Sequence, residues 1–252
     1  MTKTTNVNSI IRATNIIKSI SRGNRKISQI AERLDLSKGT THRLLATLVQ
    51  TRFVVQDPLS LEYSIGPALL ELLYDPGVTH RHLVACALGE MQKLKELSGE
   101  TVVLHIISGL DRVCIACVES SHSVRYTNAV GFAAPLHLGG AGKILLSELN
   151  DRDLSVVLNN SDLTPLTPNT ITDRDKLLEE VKKVRKLGYA TSFGERAVGS
   201  SCLSVAVRNY VTPVALSILG PITRFKITEK GDLIEKIREA SQKISDQLES
   251  QT

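Results

Sequence analysis

The sequence predicts an α+β protein built from two modules: an N-terminal winged helix-turn-helix and a larger C-terminal antiparallel sheet flanked by helices. Three observations carry this prediction. The first 66 residues contain three segments of helical periodicity followed by a β-hairpin pattern. The remaining chain separates strand-like from helix-like segments. The positive charge of the chain is concentrated in the N-terminal quarter. We expect domains at 6–66 and 80–252, with a linker helix at 67–79.

The excess positive charge of the chain lies in its first 66 residues. The net charge is +5, but residues 1–66 hold ten of the 31 Lys and Arg and only four of the 26 acids, whereas the rest of the chain is close to neutral. Such concentrated basicity is typical of a surface that binds nucleic acid or an anionic membrane, although an unevenly charged solvated surface gives the same pattern. The N-terminus lacks an apolar signal segment, and no apolar run reaches eighteen residues. We therefore expect a cytoplasmic protein without membrane association, whose four cysteines are reduced.

Helical periodicity organises the basic segment. Residues 9–21 are expected to form the first helix, capped by Ser9, and residues 28–34 the second. Asp35 is a residue that tolerates a positive φ in the tight turn that follows. Ser37 is a good N-cap for a third helix. The buried stripe of this helix is predicted to be Thr41, Leu44, Leu45 and Leu48.

The opposite face of the third helix is suited to reading a DNA major groove. It carries small and hydrogen-bonding side chains with one arginine, and no acid lies between Lys38 and Gln50. Its first-turn amides can meet a phosphate. Phe53–Val55, a turn at 57–60 and Leu61–Ile65 then predict the wing, which is expected to lie along the phosphate backbone with Arg52 at its base. The residues expected to contact DNA are Arg12, Ser37, Lys38, Gly39, Thr40, Thr41, His42, Arg43, Thr47 and Arg52.

Beyond the linker the pattern becomes mixed. A helix is expected at 80–98, with Leu83, Ala87, Met91, Leu94 and Leu97 on its buried stripe. Strands are expected at 101–108 and 113–119, and near 189–193, 201–207 and 213–219. Helices are expected at 142–149 and 173–187. A C-terminal helix is marked by Ile227, Ile234, Ile237, Ile244 and Leu248.

Three groups of residues suggest chemistry. Cys114 and Cys117 have the spacing of a zinc pair, but a regular strand would place them on opposite faces and the sequence has no second pair, so no metal site is expected. The glycine-rich run 139–143 resembles a P-loop, but His137 and Ile144 occupy positions where that motif needs Gly and Ser or Thr. Its amides could still bind a carboxylate. Cys202 would be a nucleophile only beside a base, and packing is the simpler explanation.

Together these segments resemble the IclR family of bacterial transcription regulators. In the N-terminal region the resemblance rests on 9–17, 30–34, 36–48 and the Tyr63-Ser64-Ile65-Gly66 run. In the C-terminal region it rests on Pro135-Leu136-His137 followed by Gly142-Lys143, on 187–190, Glu195, Gly199 and Cys202, and on 216–221.

The resemblance implies a GAF-like effector-binding fold with a pocket between the sheet and the glycine-rich loop. By position it implies backbone contacts from Gly140 and Ala141 and side-chain contacts from Cys202 and Ser217. Two positions depart from the pattern of organic-acid binders, because Ser192 replaces an acid and Leu219 replaces a hydroxyl residue. The expected effector is a small organic acid or a sugar acid, bound without a cofactor.

These observations predict a ligand-responsive regulator that binds a double-stranded DNA operator as a homodimer or tetramer, with the linker helices as the dimer surface. Repression of a small-carboxylate or sugar-acid catabolic operon is expected, and activation of such an operon is the alternative. An enzyme that uses Cys202 and carries a DNA-binding appendage is a second hypothesis, although no acid–base pair supports catalysis. A chromatin-type DNA binder that needs no ligand is a third.

Overall fold

The computed structural model describes residues 7–69, 80–227 and 232–250. The chain forms two compact units, residues 1–79 and 80–252. Most of the expected linker helix, from residue 70 to 79, lies outside the described residues. Within the described residues, no helix is long and apolar enough to cross a membrane.

The N-terminal unit is a winged helix-turn-helix. Its elements are α1 (Asn8–Ser21), α2 (Ile27–Arg33), α3 (Lys38–Gln50), β1 (Val54–Gln56) and β2 (Tyr63–Ile65). The strands pair in antiparallel register, with Val54 opposite Ile65. Its core consists of buried aliphatic side chains from the helices, with one residue from each strand: Ile16, Ile20, Ile30, Leu45, Leu48, Val54 and Tyr63.

The local signals in this unit place its elements well, with one exception. Ser37 caps α3 by accepting a hydrogen bond from the Thr40 amide at 3.2 Å, and Asp35 takes the expected positive φ of 50°. The exception is the start of α1. The helix begins at Asn8 after Val7, without a side-chain cap, so Ser9 lies inside it and is not the cap.

The C-terminal unit is built on a six-stranded antiparallel sheet with the strand order β5-β4-β3-β8-β7-β6. The strands are β3 (Thr101–Ser108), β4 (Asp111–Val118), β5 (Ala133–Pro135), β6 (Ala190–Phe193), β7 (Ser200–Val207) and β8 (Val214–Pro221). The helices are α4 (Arg81–Ser98), α5 (Gly139–Ser147), α6 (Asp151–Asn160), α7 (Arg174–Leu187) and α8 (Leu233–Glu249). The strand β5 and the helix α6 were not expected from the sequence.

Each face of the sheet buries a separate apolar cluster. One face carries residues such as Leu104, Val205 and Leu216, which pack with α4 and α8. The other face carries small residues such as Ala190 and Ala215, which pack with α5, α6 and α7. Small side chains on this second face leave space above the sheet. Leu97 was expected in the buried stripe of α4 but is 55% exposed.

A β-bulge in β4 overturns the expected placement of the two cysteines. Cys114 lies opposite His105 and Ala116 lies opposite Leu104, so Ile115 is the extra residue. Cys117 lies opposite Val103. Because cross-strand partners share a face, the bulge brings Cys114 and Cys117 to the same face of the sheet. The expectation that they lie on opposite faces was wrong.

Candidate effector site and nucleic-acid interface

The exposed face of α3 carries the side chains expected to contact DNA. Lys38, Gly39, His42, Arg43 and Thr47 are all exposed, and the Thr47 hydroxyl donates to the Arg43 carbonyl. A Cβ built on Gly39 would meet nothing within 4 Å, so the surface of the first turn is open. The helix has no acidic side chain, and its two cations, Lys38 and Arg43, lie in its N-terminal half.

Three other residues of the expected interface are placed differently. Thr41 is fully buried, and its hydroxyl donates to the Ser37 carbonyl, so its side chain faces the core and not the surface. Ser37 and Thr40 are joined by a 3.0 Å hydrogen bond that belongs to the helix cap. The expectation that the Thr41 side chain contacts DNA was wrong, because this side chain belongs to the buried stripe of α3.

The wing differs in charge from the expected phosphate-binding element. Residues 54–65 contain two acids and no Lys or Arg. Asp57 accepts from the amides of Leu59 and Ser60, and these hydrogen bonds lower its pKa, so the turn is held by an ionised carboxylate. Leu59 at the tip is 94% exposed. The cations near the hairpin come from outside it.

Those cations lie on α1, at the hairpin base and in the loop between α1 and α2. Arg12 is exposed on α1, and Arg52 is exposed at the hairpin base with a positive φ of 62°. The carbonyl of Arg25 accepts a 2.8 Å hydrogen bond from the Tyr63 amide, which ties the basic loop 22–26 to β2. Arg22 and Lys26 of this loop are also exposed. Sequence reasoning did not assign the loop to the DNA surface.

In the C-terminal unit, a cavity of about 50 Å³ lies between the small-residue face of the sheet and the start of α5. Five of the six expected effector residues line it, namely Gly140, Ala141, Ser192, Cys202 and Leu219. The sixth, Ser217, does not. Its hydroxyl is 2.8 Å from that of Ser204, which lies 3.2 Å from the Cys202 sulfur. Ser217 therefore supports Cys202 through Ser204.

The N-terminus of α5 closes one side of this cavity. The Glu195 carboxylate accepts from the Gly139 amide at 3.2 Å and from the Lys143 ammonium at 2.7 Å. The amides of Gly140 and Ala141 follow in the same first turn, where a helix has no preceding carbonyl to satisfy them. A Cβ on Gly140 would lie 2.9 Å from the Ser204 hydroxyl and 3.2 Å from the Cys202 sulfur. Glycine is needed there because helix and sheet approach so closely.

Glycine at position 142 has a similar steric cause. A Cβ there would lie 1.9 Å from the Leu136 carbonyl oxygen. The glycine-rich run therefore lets α5 pack directly against the preceding backbone.

The opposite side of the cavity is cationic. Arg112 is only 4% exposed, and its Nη1 donates to His105 Nε2 at 2.8 Å. Asn128 Nδ2 donates to the same nitrogen at 3.2 Å, and Arg196 Nη1 donates to Asn128 Oδ1 at 2.8 Å. Arg112, His105, Asn128 and Arg196 all line the cavity, and among the described residues no Asp or Glu does. We call these four residues the arginine cluster.

Burial and mutual repulsion determine the charges of the arginine cluster. Desolvation and the nearby Arg196 lower the pKa of Arg112 to about 10, so its guanidinium stays charged at neutral pH. Desolvation, with Arg112 and Arg196 adding to it, holds the pKa of His105 well below 6.5. His105 is therefore neutral. Because its Nε2 accepts two hydrogen bonds, its proton lies on Nδ1.

Several buried polar atoms here have no partner within the described part of the chain. They include Arg112 Nε, His105 Nδ1 and the Ser201 hydroxyl, and all three residues line the cavity. Unpaired buried donors are costly, so such a group is typical of a ligand site. The sequence carried a weak signal for one of its members, because His105 interrupts the apolar run 102–107, whereas Arg112 lies just before the strand expected at 113–119.

Cys202 does not have the environment of a nucleophile. Burial raises the pKa of its thiol, which is therefore protonated at neutral pH. Its hydrogen-bond partner is the Ser204 hydroxyl, which is not a general base. In the described ranges, no cluster of three or more His, Cys, Asp or Glu could hold a metal ion.

Comparison with known proteins accounts for both units. Residues 9–58 match the IclR helix-turn-helix domain, and residues 77–246 match the C-terminal domain of bacterial IclR transcriptional regulators. The chain belongs to the IclR family. It is 34% identical over 222 residues to the HTH-type transcriptional repressor AllR of Escherichia coli (strain K12), covering 85% of this chain and 80% of AllR. The AllR repressor of Salmonella typhi is 33% identical over 219 residues.

Solved structures of IclR-family regulators have the same fold. A regulator from Rhodococcus sp. is 30% identical, with a TM-score of 0.76 over 98% of this chain and 95% of that one. The IclR protein of Thermotoga maritima is 27% identical, with a TM-score of 0.64 over 96% of this chain and 98% of that one. The expected family, the α+β class and a role in transcription regulation are therefore confirmed.

Proposed function

We propose that this IclR-family regulator is a repressor that releases its operator when a small carboxylic acid occupies the cavity beside α5. The observation that carries the proposal is the arginine cluster: two guanidinium groups line a small cavity, and no carboxylate from the described part of the chain lines it. A protein that keeps such charges unneutralised in its interior destabilises itself unless a ligand supplies the anion. Its curated relatives named as repressors support the direction of regulation.

The DNA-reading element of the proposal is α3. Arg43 and His42 are placed to meet base edges in the major groove, while Lys38 and the open first turn at Gly39 meet the phosphate backbone. Arg12 and Arg52 add phosphate contacts outside α3. Because one such unit touches few phosphates, we propose that a homodimer or tetramer binds two half-sites.

The size of the cavity favours a small acid over a sugar acid. A cavity of about 50 Å³ is small, so it favours a two- or three-carbon acid with few non-hydrogen atoms. A sugar acid, with a dozen or more such atoms, exceeds this space. The first-turn amides of Gly140 and Ala141 are suited to one carboxylate group, with Cys202 packed against it.

Regulation requires that the acid bind the DNA-competent and DNA-incompetent arrangements with different affinities. The Glu195 carboxylate lies in the same 194–199 loop as Arg196 and accepts a hydrogen bond from the Gly139 amide of α5. A ligand bound between α5 and Arg196 can therefore alter how α5 and this loop pack. We propose that this local change is the input to DNA release.

Fluorescence anisotropy with DNA from the upstream region of its own gene tests the proposal. We expect a sequence-specific complex at moderate salt that dissociates on addition of a small carboxylate and not of its neutral amide. An Arg43→Ala variant provides the control for specific binding. A complex that no small acid alters at millimolar concentration would overturn the proposed effector class, and no specific complex would overturn the proposed function.

A further inference from the structure

We propose that the cavity recognises two acidic groups at once, so that the effector is a small dicarboxylate. This inference rests on the proposed function. One carboxylate would bind the first-turn amides of α5, and the other would bind the guanidinium groups of Arg112 and Arg196. These two sets of donors come from different elements, α5 on one side and β4 with the 194–199 loop on the other.

Arg112 is built into the protein as a binding group. It is 4% exposed, its Nη1 is fixed by His105, and its Nε is buried without a partner among the described residues. His105 is in turn held by Asn128. A buried guanidinium fixed through one nitrogen, with its Nε left without a partner, offers a charged donor to a carboxylate.

Arg196 supplies the second cation from the neighbouring loop. Its Nη1 donates to Asn128 Oδ1 at 2.8 Å, and its guanidinium stacks over the Phe132 ring at 5.0 Å from the ring centre. These contacts orient the side chain without neutralising it. Asn128 thereby connects both arginines, because it bonds to Arg196 through its oxygen and to His105 through its nitrogen.

The charge balance distinguishes a dianion from a monoanion. Glu195, which bonds to the Gly139 amide at the edge of the cavity, is also engaged by Lys143. His105 is neutral, so Arg112 and Arg196 contribute two positive charges, and no lining carboxylate in residues 7–69, 80–227 and 232–250 offsets them. A monocarboxylate would neutralise one of them, whereas a dicarboxylate neutralises both.

The test compares each diacid with its monoamide, which has nearly the same size and shape but one negative charge fewer. Titration calorimetry on the full-length protein at 150 mM salt would measure oxalate against oxamate and malonate against malonamate. We expect at least one diacid to bind tenfold or more tightly than its monoamide. In an Arg196→Met variant this preference should shrink to less than threefold, while monoamide binding changes little.

Arg125→Met is the matched control, because Arg125 is an arginine paired with Glu119 away from the cavity lining. It should keep the wild-type preference for the diacid. Circular dichroism would confirm that both variants are folded. Equal affinity for diacid and monoamide, with release of DNA by both, would overturn the dicarboxylate and leave the proposed function standing. Absence of binding by all four compounds, with DNA binding unaffected, would overturn both.

Discussion

Replacing Arg112 by Met should make the ligand-free protein more stable, although it removes a buried hydrogen-bonded side chain. Burial and Arg196 lower the pKa of Arg112 from its ordinary value to about 10. At 1.36 kcal/mol per pKa unit, the folded state therefore holds this charge at a cost on the order of 3 kcal/mol. Loss of the hydrogen bond to His105 offsets about 1 kcal/mol of the gain, and imperfect packing of Met offsets a further part.

The expected net effect is a stabilisation of about 1–2 kcal/mol, or a rise of about 2–8 °C in the melting temperature of the C-terminal unit. Scanning calorimetry on extensively dialysed protein measures it. The control is Arg224→Met. Arg224 donates two hydrogen bonds to Glu100, which is 1% exposed, so its loss leaves a buried carboxylate unpaired. That variant should lose about 2–4 kcal/mol. If both variants were destabilised alike, Arg112 would be a structural residue and the reasoning would be refuted.

Four further outcomes follow from the same structure. Gly142→Ala should lower the free energy of unfolding by more than about 2 kcal/mol, because the added Cβ meets the Leu136 carbonyl. Gly89→Ala, in the open middle of α4, should raise it by about 0.5–1 kcal/mol. Urea unfolding of both variants measures these changes. Between pH 6.5 and 5, His105 is protonated in the unfolded chain but not in the native state. The free energy of unfolding should therefore decrease by up to about 1.4 kcal/mol for each pH unit by which the pH is lowered. Melting curves of a His105→Gln variant should lack this part of the pH dependence. Arg43→Ala should weaken specific operator binding by about 1–3 kcal/mol in anisotropy titrations and leave binding to unrelated DNA nearly unchanged. An unchanged preference for the operator would remove Arg43 from base recognition.

The winged helix-turn-helix was predicted closely from the sequence, because its caps, turns and apolar stripes each depend on residues that lie close together in the chain. Ser37 and Asp35 act as expected. Thr41 shows what the sequence did not resolve. It was expected both in the buried stripe of α3 and on the DNA surface, and its full burial in the folded unit places it in the stripe.

In the C-terminal unit the family pattern alone predicted that the glycine-rich run and Cys202 line one cavity. The arginine cluster could not be predicted, because it brings the β3–β4 hairpin together with Asn128 and the distant Arg196, and a single sequence does not reveal that packing. The short strand β5 was missed because three residues carry too little periodicity to identify a strand.

The central claim is that an anion in the cavity controls binding of DNA by α3. The most direct measurement is operator anisotropy for the wild type and Arg196→Met across a titration of malonate at constant ionic strength. The account predicts that the wild type releases DNA as malonate rises, and that the variant binds DNA equally well but needs at least tenfold more malonate for release. Release at the same malonate concentration in both proteins would contradict it.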